Sequence, residues 1–454
     1  MAEIDTRVER LEEYTEEAEA IKDKIQEVAE NKNIEIESGV DTPLSLLDKI
    51  DLGTGLYDVE VTDNGDGTQS LNIIDAGAPV NVIYGVKIDR ADSNPETSVT
   101  YTDDAVGFSK SYMDFTNDAF VWGSWQNKFP FNQVKPCLFK NGAVVTYLNP
   151  NNYAQDTEGN AVNITGADGD VMIEIPKIYY KLSKDRNYQY IQISNASFDG
   201  ACCLAHTYKG AEKDKVYIGA YQSYYDGSKS RSISGVSATG SISLNMWRAY
   251  AHNQGSGYEN FYWDLLVLLQ CLYVIQFKNL DSQSALGYGW ADVSGYYSTS
   301  GGLNNKGLYY GTATTGQVKF LGIEDFYGNR AQLIDGACIL STRNLATIDS
   351  TDSTVVYNGS GTGYTDRGYT LSSNSNGYTS VIMGTNYGGF VPTDQQGSAT
   401  TYYCDRSRVY KADYIPMFGG YNTSTTNAGA FYLSFYTKAT NSYDYICSRL
   451  AFCG

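Results

Sequence analysis

Along residues 430–436 (Ala-Phe-Tyr-Leu-Ser-Phe-Tyr), Phe431, Leu433 and Phe435 fall on one side of an extended chain, and Tyr432, Ser434 and Tyr436 on the other. A strand alternates its side chains with period two, so this order predicts a strand with the phenylalanine side in a core and the tyrosine side in water. The pattern returns at residues 443–447, where Tyr443, Tyr445 and Cys447 share a face opposite Ile446. Tyrosine supplies rigid amphipathic contact area with few torsions to freeze, and serine and asparagine add adaptable hydrogen bonds, as in antibody paratopes. Nine tyrosines lie within residues 401–454, several on a face with Ser, Thr and Asn and not with the Lys and Glu of a solvating surface. Exposed tyrosines also favour strand pairing, but an aromatic patch of this composition points to a binding surface.

With 454 residues the chain can bury at least one sizeable core. Forty tyrosines, 45 glycines and 42% hydrophobic residues describe a folded, turn-rich protein and not a disordered one. The formal charge of −19, without a basic run, argues against a nucleic-acid partner. The acidic start has no apolar segment of signal-peptide type, and the longest apolar run, residues 265–269, is too short for membrane insertion. Eight scattered cysteines without a repeated spacing read as reduced core residues, with a Cys447–Cys453 pairing left open for an oxidising compartment.

Residues 3–30 carry a heptad, with Ile4, Leu11, Ala18 and Ile25 at a and Arg7, Tyr14, Ile21 and Val28 at d. Seven of these eight positions are apolar, which predicts a coiled coil, and isoleucine at both a and d leans toward a homotrimer. Thr42 as N-cap, Pro43 in the first turn and Gly53 past the end predict a short helix. Alternating runs at 56–62 and 69–74 around Asp63-Asn64-Gly65-Asp66-Gly67 predict a hairpin. The expected organisation is a helical stalk over 1–55, a hairpin connector over 56–83 and a body over 84–454. Within the body a buried helix is expected from about Tyr258 to Phe277, and residues 291–316 and 349–402 read as long surface loops.

Catalytic and metal signals are sparse. His206 lies near Cys202 and Cys203, but no second Cys/His pair completes a four-ligand set, so no metal or cofactor is expected. His252 has no nucleophile context, and Gly359-Ser360-Gly361-Thr362-Gly363 lacks the Lys-Ser/Thr of a phosphate loop.

An ordered set of segments carries a family resemblance. These are Ile173-Glu174-Ile175-Pro176-Lys177-Ile178-Tyr179-Tyr180-Lys181, then Val216-Tyr217-Ile218-Gly219-Ala220-Tyr221, then Arg231-Ser232-Ile233-Ser234-Gly235-Val236. They continue through Lys278-Asn279-Leu280-Asp281-Ser282-Gln283 to Gly322-Ile323-Glu324-Asp325-Phe326-Tyr327-Gly328-Asn329. In this order the chain resembles the C-type-lectin-fold variable proteins of diversity-generating retroelements in phages and prophages, related to formylglycine-generating enzymes. Arg330, Ala331, Gln332 and Leu333 replace the usual valine, tryptophans and glutamate after the last segment. Phe418-Gly419-Gly420-Tyr421 stands where that family has a GGSW-like turn, Asn427-Ala428-Gly429-Ala430-Phe431 matches its NAGxF, and residues 442–450 fall at its SNANIGxRL.

The resemblance implies an α+β fold of C-type-lectin, formylglycine-generating-enzyme-like type with long loops, preceded by the coiled coil and the hairpin. Residues 402–454 would be the variable region. The function implied is that of a virion protein at the tail-fibre tip, made in the bacterial cytoplasm. Its N-terminus would attach to phage tail or baseplate proteins, and its Tyr/Ser/Asn-rich face would recognise a bacterial cell-surface protein or glycan. The ligand-binding residues expected on that face are Tyr402, Tyr403, Tyr421, Asn422, Thr423, Tyr432, Ser434, Tyr436, Thr437, Tyr443, Tyr445 and Cys447. Phe431, Leu433, Phe435, Ile446, Arg449 and Leu450 would be fixed scaffold. The enzymatic branch needs two closely spaced cysteines soon after the GGSW-like turn, and residues 419–435 contain none, so no enzyme is expected. The alternatives are a bacterial surface adhesin of the same fold, and an oxidase of the formylglycine-generating type using Cys447 and Cys453.

Overall fold

The computed structural model of the chain describes residues 81–354, 356–370, 375–410 and 413–454, together with the strands Tyr57–Asp63 and Gln69–Asp75. The chain divides into two units, residues 1–80 and 81–454. In the first, the two strands pair antiparallel from Tyr57↔Asp75 to Asp63↔Gln69. The heptad of residues 3–30 and the Thr42-Pro43 helix lie outside the described residues.

The second unit is built around the helix Trp263–Phe277, whose fifteen residues are all buried. Its three polar residues, Asp264, Gln270 and Gln276, are scattered around the circumference and make no polar face to offer water, so the helix becomes an interior element. Its first amide, that of Trp263, donates to the Asp335 carbonyl at 2.8 Å. It ends at Lys278, which takes a left-handed conformation and donates its amide to the Val274 carbonyl at 2.9 Å. The helix starts later than its composition suggests, because Tyr258–Asn260 is a strand paired with Leu450–Phe452.

Three sheets surround this helix. A four-stranded antiparallel sheet runs in the order Tyr179–Lys184, Tyr188–Ser194, Ile83–Asp89, Val99–Asp103, and Val86, Ile88, Leu182, Ile191 and Ile193 join the helix in one core. A seven-stranded sheet has the order Tyr258–Asn260, Leu450–Phe452, Lys215–Gly219, Asp170–Pro176, Lys135–Lys140, Ala143–Asn149, Asn152–Asp156. Its hairpin Lys135–Lys140/Ala143–Asn149 turns on Asn141 (φ 55°) and Gly142 (φ 79°), the left-handed pair that a two-residue turn requires. A six-stranded mixed sheet runs Ser375–Tyr378, Arg406–Val409, Leu433–Thr437, Ile415–Phe418, Ala331–Leu333, Ile446–Cys447. One face of that sheet joins the central core through Leu433, Phe435, Phe418 and Val409. The other packs Ile415, Met417, Leu333, Ala331 and Ile446 against Leu244 and Trp247 of the helix Leu244–His252.

The described residues are predominantly β. Their three α-helices, Leu244–His252, Trp263–Phe277 and Ser282–Ala285, are short. This corrects the α+β class with a long coiled coil: no coiled coil is found among the described residues. Helical periodicity is confined to a few segments, and most of the chain forms short strands paired across long sequence separations. Part of the expected 349–402 loop is also ordered β structure, including Thr365–Tyr369 and the edge strand Ser375–Tyr378.

Candidate functional site: a tyrosine and arginine face

The strand Leu433–Thr437 places Ser434 beside Arg408 on one neighbour and Met417 on the other, so these three share a row across the sheet. Tyr436, two residues along, is on the same side and 48% exposed. Around it stand Tyr410, with ring centroids 4.9 Å apart, and Tyr414 at 5.9 Å. The Arg408 guanidinium lies 5.5 Å from the Tyr436 ring centroid, within range of a cation–π attraction. A second aromatic group adjoins. Tyr443 and Tyr445 stack at 5.3 Å with an interplanar angle of 7°, and Tyr421 packs on Tyr445 at 4.7 Å. Tyr443 is 41% exposed, while Tyr421 and Tyr445 are half-buried against the Trp247 cluster. Burial, followed by the neighbouring Tyr421, raises the Tyr445 phenol above its ordinary range, so the group stays neutral at physiological pH.

The loop beyond this group is pinned by charge. Arg330 lies over the Tyr297 ring at 3.3 Å and pairs with Asp444 at 3.2 Å, and the Tyr297 hydroxyl donates to the other Asp444 oxygen at 2.7 Å. Gly240 is needed there, since a Cβ at that position would collide with the Asp444 carbonyl and the Arg330 guanidinium.

Underneath, Arg449 holds the scaffold together. Fully buried, it donates from Nε to Gln332 Oε1 (2.8 Å), from Nη1 to the Gly219 carbonyl (2.9 Å), and from Nη2 to the carbonyls of Glu324 (2.8 Å) and Asp325 (3.0 Å). Burial lowers its pKa to about 10, still far above neutrality. The Gly322–Asn329 segment is accordingly a structural hub. The Glu324 carboxylate accepts the amides of Gly301 (2.7 Å) and Leu303 (2.8 Å), and Asp325 accepts from the Ser298 hydroxyl (2.7 Å) and the Asn329 amide group (3.2 Å).

The twelve residues expected on the binding face divide. Tyr436, Tyr443, Tyr445 and Tyr421 come together as described, and Thr423 is exposed next to Asn422. Tyr402 is half-buried but stands elsewhere, its amide bound to the Ser93 carbonyl at 2.7 Å. The remaining six are buried, contrary to the solvent-facing reading. Tyr403 packs on Phe431 and Phe390, with centroids at 5.3 and 6.3 Å. Asn422 is a clasp whose side-chain amide donates to the Val293 (2.8 Å) and Tyr296 (2.9 Å) carbonyls. Tyr432, 6% exposed, has its phenol pushed up to about 12 by burial. Thr437 falls on the core side of its strand with Leu433 and Phe435, and Ser434 is covered because the second face of the sheet is not open to water at that point. The helix Leu244–His252 and the tyrosine layer lie over it. Cys447 pairs in register with Gln332 and sits in the core, since residues 443–445 form a turn and not a continuous strand.

Sequence reasoning missed Arg406, Arg408, Tyr410, Tyr414, Arg330 and Tyr297. The order Arg406-Ser407-Arg408-Val409 did hold a signal, because alternation puts both arginines on one face with Ser407 and Val409 buried.

All eight cysteines are free thiols, and burial raises Cys447 and Cys453 to about 12, which leaves them poor nucleophiles. Among the described residues, no group of three His, Cys, Asp or Glu side chains could hold a metal. No helix there is long and apolar enough to cross a membrane.

No protein-family model matches the chain, and no curated protein matches it. Among solved structures, a Major Tropism Determinant, U1 variant, aligns over 87% of this chain and 83% of that chain, at 12% identity and a TM-score of 0.26. The likeness is a weak structural one and carries no argument about the site.

Proposed function

We propose that this chain is a receptor-binding protein of a phage particle, gripping a bacterial-surface ligand through the face formed by Tyr436, Tyr443, Tyr445, Tyr421 and Arg408. The observation that carries this reading is the pair of aromatic groups on a sheet whose other face is central core. Rigid, partly exposed tyrosines lose little side-chain freedom on binding, and clustered aromatics dominate binding energy at interfaces. The motif resemblance, which spans about residues 84–454, supports the phage assignment. The buried, protonated Cys447 and Cys453 support a role without catalysis.

The test is adsorption of labelled protein to a panel of bacterial strains. The double substitution Tyr436→Ala/Tyr443→Ala is expected to weaken binding by about 100-fold or more, since two interface anchors at about 2 kcal/mol each are removed. Folding stability should change by about 1 kcal/mol or less, because both rings are largely outside the core. Unchanged adsorption by a folded double variant would refute the assignment of this face.

A further inference from the structure

Arg406 and Arg408, both partly exposed, stand two residues apart on one side of their strand, roughly 7 Å from one another along it. Asn376 Oδ1 accepts from Nε of both, at 2.7 and 3.3 Å, which fixes the two guanidinium groups beside each other. Among the described residues no carboxylate makes an ion pair with either. The acidic group of the tyrosine layer, Asp444, is already matched by Arg330 and Tyr297. Asp413 and Lys438, exposed at the ends of neighbouring strands, carry opposite charges. A chain with formal charge −19 has carboxylates in excess, yet this face keeps two arginines without one.

Resting on the receptor-binding reading above, we propose that the ligand of this face is an acidic glycan, its carboxylate or phosphate held by Arg406 and Arg408. A guanidinium presents a planar fork that fits either group, and the pair of forks fits a repeating acidic polymer. The exposed ring of Tyr436, against Arg408, and that of Tyr443 on the same tyrosine layer offer apolar faces with hydroxyl edges, suited to sugar rings that are apolar on one face and hydroxylated at the rim. Attraction to the two arginines operates at short range, within about 8–10 Å at physiological salt, so the overall negative charge does not cancel it at contact.

The experiment uses the full chain and a strain to which it adsorbs. Three proteins are compared: wild type, Arg406→Gln/Arg408→Gln, and Tyr436→Ala/Tyr443→Ala, each checked by thermal melting. Cells are used untreated, after periodate oxidation, and after proteinase K, with soluble alginate, dextran and polyglutamate as competitors. The arginine variant should lose at least about 10-fold in affinity while its melting temperature holds, as expected for charge-assisted bonds. Wild-type binding should weaken from 50 to 500 mM salt, and the arginine variant should lose most of that dependence. Periodate should remove binding and proteinase K should spare it, with alginate competing better than dextran. Three results would overturn the inference: binding by the arginine variant equal to wild type, loss of binding after proteinase K, or competition by polyglutamate alone. If the tyrosine variant loses binding in those cases, the face survives and only the ligand class fails. If neither variant is impaired, the receptor-binding reading fails with it.

Discussion

At the scale of single residues, the two histidines work in opposite directions with pH. His206 is fully buried, and burial lowers its pKa from 6.5 to about 4. Between those values the unfolded chain takes up a proton that the folded chain refuses, so the contribution of His206 to stability falls as pH drops from 6.5 toward 4. The loss amounts to about 3 kcal/mol. His206→Gln is expected to remove this acid limb, measured as a smaller difference in unfolding free energy between pH 7 and pH 4. His252 is half-exposed, and its hydrogen bond to Glu259 at 2.8 Å raises its pKa. Its stabilisation is complete below the unfolded value of 6.5 and is lost as pH rises through the raised folded value. His252→Gln should flatten that neutral-to-alkaline limb, read by urea unfolding from pH 6 to 9. Neither environment was legible in the sequence. The Cys202-Cys203…His206 grouping lacks the spacing of a four-ligand set but does not tell how deeply the imidazole lies; His206 is a core residue whose Nε2 lies 3.4 Å from the Ile175 carbonyl.

At the scale of elements, local patterning carried where both partners are close in sequence. The Asn141-Gly142 hairpin and the largely apolar helix Trp263–Phe277 are both legible from local sequence. It misled where a strand finds its partner far away. Tyr258–Asn260 reads as the start of the helix, but pairs with a segment about 190 residues later. The outward row of Leu433–Thr437 reads as solvated, yet only Tyr436 among its Tyr and Ser residues is exposed, because covering elements come from residues 244–252 and 421–445. Periodicity says which residues share a face, and only tertiary packing decides whether that face meets water. The element most dependent on one side chain is the C-terminal segment held by Arg449. Arg449→Met should leave the carbonyls of Gly219, Glu324 and Asp325 each short of a donor, costing about 3–5 kcal/mol. A fall in Tm of about 5–10 °C is expected by calorimetry, with the far-UV spectrum unchanged below the transition.

At the scale of the whole molecule, the last strand is an interior one. Leu450–Phe452 lies between Lys215–Gly219 and Tyr258–Asn260, pairing Phe452 with both Tyr217 and Tyr258. A chain stopped after Tyr445 lacks this strand, Arg449 and the Ile446–Cys447 edge of the tyrosine-bearing sheet. It is expected to show no cooperative melting transition and low soluble yield, where wild type melts as a folded protein. The position of that strand also bears on synthesis. Residues 446–452 leave the ribosome after the strands they join, so sheet and hub close only once this segment has been made. Copies that stop short of this segment would therefore lack both the buried Arg449 contacts and the edge that completes the tyrosine-bearing sheet.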